Sequence, residues 1–185
     1  MLSEINQGFY SKLRLWPETW ASNTTYQVGD LVKAVTYASK SYLVTTAGTT
    51  GSTEPTWSTS VGNTVSSGTV TFTVKDSKTY QVKAPQSASC PYVTFGLNTE
   101  VPMGDFSDFE TIENLTYWVN CFSSKSTADV AEISDEVMSI LDDSTLTVSG
   151  YTSMKCVRTF MGSVIYDPDT LSYQQPLRYR VWVTS

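Results

Sequence analysis

The chain has 185 residues, of which 40% are hydrophobic, so it can bury a sizeable core and is not a disordered tail. Twelve basic against eighteen acidic residues give a net charge of -6, which excludes a broad cationic surface for phosphates. Histidine is absent from the sequence, so the commonest general base near neutral pH and the commonest zinc ligand are missing. These facts argue against tight nucleic-acid binding and against an enzyme.

The cysteines and the apolar runs add three further expectations. Cys90, Cys121 and Cys156 are isolated in the sequence, so they form no short metal-binding pair and are expected to be small buried side chains. No apolar run approaches the roughly 18 residues that span a bilayer. The amino terminus lacks the continuous apolar segment of a secretory signal. We therefore expect assembly in the cytoplasm, without cofactor, metal or membrane partner.

Within the first 78 residues the amino-acid composition changes once, after residue 15. Ser3 fits an N-cap, and Ile5, Phe9 and Leu13 are spaced four apart, which predicts a helix over residues 3–15. Residues 16–78 are dense in threonine, serine, glycine and aromatic residues, with short alternating runs between turn sequences. This pattern predicts a small all-β module of three or four strands.

The middle of the chain predicts three strands and a loop. "KTYQVKAP" and "CPYVTFG" favour two strands joined by the polar turn "QSAS", with Pro91 at a first strand position, where its missing N–H needs no ladder partner. "LNTEVPMGDFSDFE" predicts a long loop. "TIENLTYWVNCFS" predicts a strand with alternating faces. One face carries Leu115, Tyr117, Val119 and Cys121, and the other carries Thr116, Trp118, Asn120 and Phe122.

The last third predicts a helix and a hairpin. Ser126 and Asp129 resemble a capping box, and apolar residues at helical spacing follow: Val130, Ile133, Val137, Ile140 and Leu141. The other face of this helix is acidic. "YTSMKCVRTFMGSVIYD" and "QPLRYRVWVTS" predict two long strands around "DPDTLS". In the second strand Leu177, Tyr179, Val181 and Val183 alternate with Arg178, Arg180 and Trp182.

These elements predict an α+β fold in which an antiparallel sheet packs with two helices. Residues 1–15 and 79–185 form this discontinuous domain. Residues 16–78 are interpreted as an inserted all-β domain, because the two ends of a loop can hold a folded guest at modest entropic cost.

The order of the segments resembles a known family. In this chain the segments follow in the order "TYQVKAPQSASCPYVTFG", an acidic loop, "TYWVNCFS", a helix from "STADV" to "ILDD", and the strand "LRYRVWV". This order resembles the tail-terminator proteins of long-tailed phages, also called tail-completion or tail-to-head joining proteins. The resemblance covers residues 79–185, with residues 3–15 as the family's first helix.

The resemblance implies a structural virion protein at the junction of tail and neck. It implies a ring of six subunits that stops growth of the tail tube and faces the neck of the capsid. The implied partners are further copies of the chain, the major tail-tube protein and a head-completion or neck protein. Genome DNA passes through the channel of such a ring without specific binding.

Candidate interface residues lie in two stretches. Pro85, Pro91 and Tyr92 belong to a turn and strand that can lie against a neighbouring subunit, although an ordinary hairpin within one subunit explains them equally. The loop contributes Glu100, Asp105, Phe106, Asp108 and Phe109. We expect this loop to meet the next subunit or the tube, with carboxylates that repel DNA in the channel. A solvated loop is the alternative, and a calcium site is a weaker one because the spacing matches no EF-hand loop.

The inserted module has a resemblance of its own. "TTYQVGDLV", "KSYLVTT", "GTTGSTEPTW" and "SSGTVTF" are similar to small β modules of phage virion proteins, related in pattern to chitin-type carbohydrate-binding modules. The pattern departs at Ser67-Gly68 and Phe72, where an aspartate-glycine turn and a tryptophan are usual. Candidates for stacking on sugar rings are Trp16, Trp20, Tyr26, Tyr42 and Trp57. The alternative is that a small module needs these aromatic residues for its own core.

The sequence gives less support to other classes of function. Asp142 and Asp143, with the acidic loop, are the candidate carboxylates for a glycosidase, but adjacent carboxylates at a helix end are more often solvated. A carbohydrate-binding protein would leave most of the chain unexplained. Another neck component, such as a head-closure or connector protein, or a minor tail protein, is the alternative within the virion.

Overall fold

The structure is a computed structural model that describes residues 2–13, 16–36, 40–76, 78–104 and 111–184. The chain divides into two compact units, Met1–Trp16 with Thr79–Ser185, and Pro17–Lys78. We call them the larger and the smaller unit. Trp16 belongs to the larger one, where its indole Nε1–H donates to Thr79 Oγ1 at 3.1 Å.

The described residues form two helices and thirteen strands. They are α1 (Leu2–Leu13), β1 (Glu18–Thr19), β2 (Thr25–Tyr26), β3 (Leu31–Lys33), β4 (Lys40–Thr46), β5 (Gly48–Thr49), β6 (Thr64–Ser67), β7 (Val70–Asp76), β8 (Thr79–Gln81), β9 (Tyr92–Gly104), β10 (Thr111–Ser123), α2 (Thr127–Leu141), β11 (Thr152–Met161), β12 (Ile165–Asp167) and β13 (Ser172–Thr184).

The larger unit is a sheet covered by helices on one face. Its strands follow the order β11-β13-β10-β9-β8, and β12 pairs with β13. Both helices pack together, and α2 lies against β10, β13 and β11. The predicted α+β class is confirmed.

The two long central strands have the predicted alternation. β10 and β13 pair antiparallel, with Tyr117 opposite Tyr179 and Val119 opposite Leu177. The side chains that face the helices are fully buried: Leu115, Tyr117, Val119, Cys121, Leu177, Tyr179, Val181 and Val183. This face is the core of the larger unit, because alternate residues of a strand point to the same side.

The two helices begin and pack as their sequences indicate. In α2 the backbone N–H of Asp129 donates to Ser126 Oγ at 3.1 Å, so Ser126 satisfies a backbone donor at the start of the helix. In α1 the ring of Phe9 stacks on Tyr117 with centroids 4.2 Å apart. The first helix is thus fixed to a strand more than 100 residues later in the chain.

The prediction of a hairpin around "QSAS" is wrong. β8 pairs with β9 in parallel, with Thr79 opposite Val93 and Gln81 opposite Phe95. The chain from Val82 to Pro91 must therefore run back to the start of the neighbouring strand. Pattern alone missed this because alternation predicts a strand but not the direction of its partner.

The prediction of a loop from residue 97 is wrong up to Gly104. β9 continues to Gly104 and pairs with β10, with Pro102 opposite Glu113. Proline cannot donate to a ladder. Within the described part of the chain, β8 pairs only as far as Phe95, so Pro102 lies in an edge segment, where proline is tolerated.

The smaller unit has more strands than the three or four predicted. Five form one sheet in the order β1-β3-β4-β7-β6, and β2 pairs with β5. Three of these strands contain only two residues, which is too short for an alternating pattern to reveal them. The core of the unit consists of Trp20, Tyr26, Val32, Ala34, Tyr42, Val44, Val65, Val70, Phe72 and Val74, with Trp57 packed against it.

We expect excision of residues 17–78 to leave the larger unit folded. Because Trp16 and Thr79 are hydrogen-bonded to each other, a linker of about four glycine and serine residues, which reaches about 13 Å, can join them. Circular dichroism and urea titration of the shortened protein should show a single cooperative transition. Loss of that transition would contradict the prediction. The control is Trp16→Phe in the full chain, which removes one hydrogen bond and part of a buried ring system and should cost about 2 kcal/mol.

Candidate interaction surface

The helix-free face of the larger sheet is the candidate functional site. Because side chains alternate along a strand, the residues between the core positions of β10 and β13 point to this face. We call it the open face, and on these two strands it carries Asn114, Thr116, Trp118, Asn120, Phe122, Gln174, Pro176, Arg178, Arg180 and Trp182. None of these ten side chains is buried. A large sheet face without a helix on it is an available binding surface.

Aromatic rings lie side by side at the β8 edge of the open face. Tyr92 stacks on Phe122 with centroids 4.7 Å apart, and Tyr80 meets Tyr92 edge-on at 6.0 Å. Burial raises the pKa of Tyr92 above its usual value, so its hydroxyl remains neutral near neutral pH. The rings therefore present an apolar surface with uncharged polar tips.

A groove of about 670 Å³ runs beside these rings. The segment 82–90 forms one wall, and strand residues including Tyr92, Trp118 and Phe122 form the other. The backbone N–H of Val82 donates to Phe95 O at 2.7 Å, and that of Ala88 donates to Pro85 O at 2.8 Å. These bonds hold the wall in place.

The predicted interface residues are only partly brought together. Pro85 and Tyr92 both line the groove, whereas Pro91 is buried directly before β9. Glu100 is half-buried and lies opposite Leu115 in the ladder, so it is on the side of the sheet that faces the helices. Asp105, Phe106, Asp108 and Phe109 lie outside the described residues.

Gly96 permits the close packing of Trp118 in this groove. A Cβ atom at Gly96 would lie 2.5 Å from Cζ2 of the Trp118 indole, which is far inside contact distance. The ring can therefore lie across the backbone of β9 only because residue 96 has no side chain.

We expect Gly96→Val to displace Trp118 while the fold is retained. The clash is with a half-buried side chain that can turn outward, so we expect a cost of about 1–2 kcal/mol. Tryptophan emission should shift to longer wavelength because the indole becomes more exposed. Thr94→Val, at a groove position that already has a Cβ, is the matched control and should leave the emission unchanged. An unshifted spectrum for Gly96→Val would contradict the packing.

Two arginines are held by aromatic rings on the open face. The guanidinium of Arg178 lies 5.5 Å from the ring centroid of Phe160, and that of Arg180 lies 5.8 Å from the Trp182 ring. Arg178 is also directly opposite Trp118 in the ladder. Cation–π contacts of this kind orient a guanidinium and weaken its hydration.

The opposite side of the unit is acidic. α2 contains Asp129, Glu132, Asp135 and Glu136 and no basic residue, and Glu132 and Asp135 are exposed. Neither of these two forms an ion pair with any residue that the structure describes. The larger unit thus has an arginine-bearing face and an acidic helix face.

The carboxylates after α2 have structural partners. Asp142 Oδ2 accepts from Arg158 Nη2 at 2.9 Å, and Asp142 Oδ1 accepts from the Tyr179 hydroxyl at 3.0 Å. Asp143 pairs with Lys155 at 3.1 Å. The pair considered for a glycosidase site therefore ties the helix end to β11 and β13.

The chemically reactive side chains are buried or scattered. Burial raises the pKa values of Cys121 and Cys156 to about 12, so both remain neutral thiols. Among the residues that the structure describes, no group of three or more cysteine, aspartate or glutamate side chains could hold a metal ion. Neither described helix, α1 or α2, has the length and apolar composition of a membrane-spanning segment.

The aromatic residues considered for sugar stacking are mostly core residues. Trp16, Trp20, Tyr26 and Tyr42 are at most 7% exposed, and a buried ring offers no face to a ligand. Trp57 is half-buried, packs on Tyr42 at 4.1 Å and donates from Nε1 to Glu54 Oε1 at 2.7 Å. Trp57 is therefore the one of these five with surface left for a sugar.

The open face was missed as a candidate site, although its signal is in the sequence. Trp118, Phe122 and Trp182 occupy the strand positions that alternate with the core. Large aromatic residues on the solvent side of an alternating strand indicate a contact surface. Gly96 within a strand was a second signal, because a strand glycine marks a close approach.

Known proteins resemble this chain over more than half of its length. The family model described as "Tail completion protein gp17" matches residues 65–184. A solved structure titled "Virion of native gene transfer agent (GTA) particle" contains a similar chain, with 13% identity and a TM-score of 0.48, covering 58% of this chain and 79% of that chain. No curated protein matches the sequence.

Proposed function

The chain belongs to the tail completion protein gp17 family, and we propose that six copies form a ring at the head-proximal end of a phage tail. As a family member the chain is a structural protein of the virion, which assembles with other tail and neck proteins. In our proposal the ring terminates growth of the tail tube and joins the tail to the neck.

The match of the family model to residues 65–184 carries this proposal. The matched stretch includes every strand and helix of the larger unit except α1. The surface of that unit supports it, since closed rings need two different surfaces on each copy. An open sheet face and an acidic helix face meet this need without any catalytic group.

The proposed partners are further copies of the chain, the major tail-tube protein and a head-completion or neck protein. We propose that genome DNA passes through the channel without specific binding. The net charge of -6 supports this, because a negative lumen repels phosphates. Asp105 and Asp108 are the candidate channel carboxylates, and Phe106 and Phe109 are the candidate contacts to the tube. Glu100 is a weaker channel candidate, because it is half-buried on the side of the sheet that faces the helices.

The smaller unit is proposed to decorate the ring. Weak glycan binding stays a prediction for it, with Trp57 as the aromatic residue that retains some exposure. A glycan array with the full-length protein and with Trp57→Ala would test this. Equal signals from both proteins would remove the sugar hypothesis.

The ring position is tested with phage from which the gene encoding this chain has been deleted. We expect tails of irregular length that remain unattached to heads, and plasmid-borne protein should restore normal particles. Immunogold labelling with an antibody against residues 17–78 should mark the junction of head and tail. Label along the tail, label at the tail tip, or a lack of label on the particles would overturn the proposal. Label at the junction with unattached tails of normal length would favour a head-closure or connector protein.

A further inference from the structure

We propose that neighbouring copies meet through a specific charge pairing: Arg178 and Arg180 of one open face contact Glu132 and Asp135 on α2 of the next copy. This inference rests on the proposed ring and names its contact. The pairing is heterologous, since two different surfaces meet, and such contacts generate closed rings when the rotation between copies closes.

The two surfaces lie on opposite sides of one two-layer unit. α2 packs on the core side of β10 and β13, so its outward residues point away from the sheet. Arg178 and Arg180 point away from the core on the other side, because they alternate with the buried Tyr179. One copy therefore offers one surface to each of two neighbours, as every member of a ring must.

The charges are complementary and are not neutralised within the part of the chain that the structure describes. Arg178 and Arg180 are exposed and form no ion pair with a residue in the described ranges. Glu132 and Asp135 on α2 are also exposed, and they too form no ion pair with a residue in the described ranges. Each arginine is positioned by a ring, so little side-chain entropy is lost when a carboxylate binds.

The spacing of the charges also matches. Glu132 and Asp135 are three residues apart on a helix, which places their Cβ atoms about 5–6 Å apart on one face. Arg178 and Arg180 are two residues apart on a strand, which separates them by about 7 Å. Two guanidinium groups can therefore meet two carboxylates at the same time, and long arginine side chains absorb the small difference.

The size of the open face fits a second protein copy. Its five main strands contain 3, 13, 13, 10 and 13 residues for β8, β9, β10, β11 and β13, so their combined length is about 170 Å, and each strand is about 4.8 Å wide. The product is on the order of 800 Å², which is the area that each partner buries in a stable protein interface. DNA is a poor occupant, because two cations on a chain of charge -6 release few counterions.

Charge exchange in the phage tests the pairing. Full-length variants are supplied from a plasmid to phage that lack the gene. Arg178→Glu with Arg180→Glu, and separately Glu132→Lys with Asp135→Lys, should each lower the titre about a hundredfold, because like charges then face each other. All four substitutions together restore opposite charges and should recover most of the titre.

A control and a second readout separate contact from folding. Lys40→Glu with Lys75→Glu makes the same change in net charge as the arginine reversal but lies on β4 and β7 of the smaller unit, and it should leave the titre unchanged. Circular dichroism should show that every variant is folded. A variant with Glu132→Cys and Arg180→Cys in a Cys90→Ser background should form disulfide bonds between neighbouring copies when particles are oxidised, and these copies should run as multimers.

The outcomes distinguish this inference from the proposed function. Recovery of the titre by the fourfold variant together with cross-linked multimers supports the pairing. Unchanged titres for both reversals, or folded variants that the fourfold exchange does not rescue and that do not cross-link, overturn it. Antibody label at the junction of head and tail is independent of both results, so the ring position can hold while this contact fails.

Discussion

Replacing Phe9 by alanine is expected to lower the free energy of unfolding of the larger unit by about 3–5 kcal/mol, the range for a fully buried aromatic residue. Phe9 is 0% exposed. Its ring lies 4.2 Å from that of Tyr117 and 5.5 Å from that of Phe95. Removing it leaves a cavity between α1 and the sheet that the surrounding backbone cannot fill. Urea titration followed by circular dichroism measures the change.

Two variants separate ring packing from other effects. Tyr10→Ala, at the next position of the same helix, removes a half-buried ring and should cost clearly less than Phe9→Ala. Tyr117→Phe keeps the stack and removes only the hydroxyl that donates to Asn6 Oδ1 at 2.8 Å, which should cost about 1 kcal/mol. If Phe9→Ala costs no more than Tyr10→Ala, helix α1 is not anchored by this stack.

Replacing Gly68 by alanine is expected to destabilise the smaller unit by about 2–4 kcal/mol, from backbone strain and a steric clash together. Gly68 has φ +60, and a Cβ atom there would lie 2.3 Å from Thr49 O and 2.8 Å from Gly51 N. Both are backbone atoms, so they cannot turn aside as a side chain would. Hydrogen exchange of the β6 and β7 amides in the full-length protein should become faster.

Gly62 provides the matched control for that prediction. It also has positive φ, at +89, but nothing lies within 4 Å of a Cβ built there. Gly62→Ala should therefore cost only the conformational part, about 1 kcal/mol. Equal effects of the two substitutions would show that the clash at Gly68 is relieved by movement of the β5 backbone.

Local patterns were sufficient where neighbouring residues determine the structure. Helix α2 follows from Ser126 and the apolar residues after it, because a cap and a helical stripe involve contacts within four residues. Strand β10 follows from the alternation around Tyr117, since burial of one face requires a period of two. The departures concern β8 and β9, where the partner strand decides whether a segment is a hairpin, a parallel ladder or a loop.

The candidate site shows the same division. The sequence places aromatic residues and arginines at alternate positions of β10 and β13, but it does not say which side of the sheet the helices cover. The separation of Asp142 and Asp143 into two ion pairs also depends on β11, which lies beyond the helix in the chain.

The amino-acid sequence alone predicted the class of the fold, the alternation of its long strands, the acidic face of α2 and the lack of histidine chemistry. These properties depend on composition and on periods of two or 3.6 residues, which are local. The three-dimensional packing was needed to establish the parallel pairing of β8, the extension of β9 to Gly104, the close approach of Trp118 to Gly96 and the open face with its two arginines. Each of these depends on segments that are distant in sequence, and their pairing follows from the packing of the whole sheet and its helices.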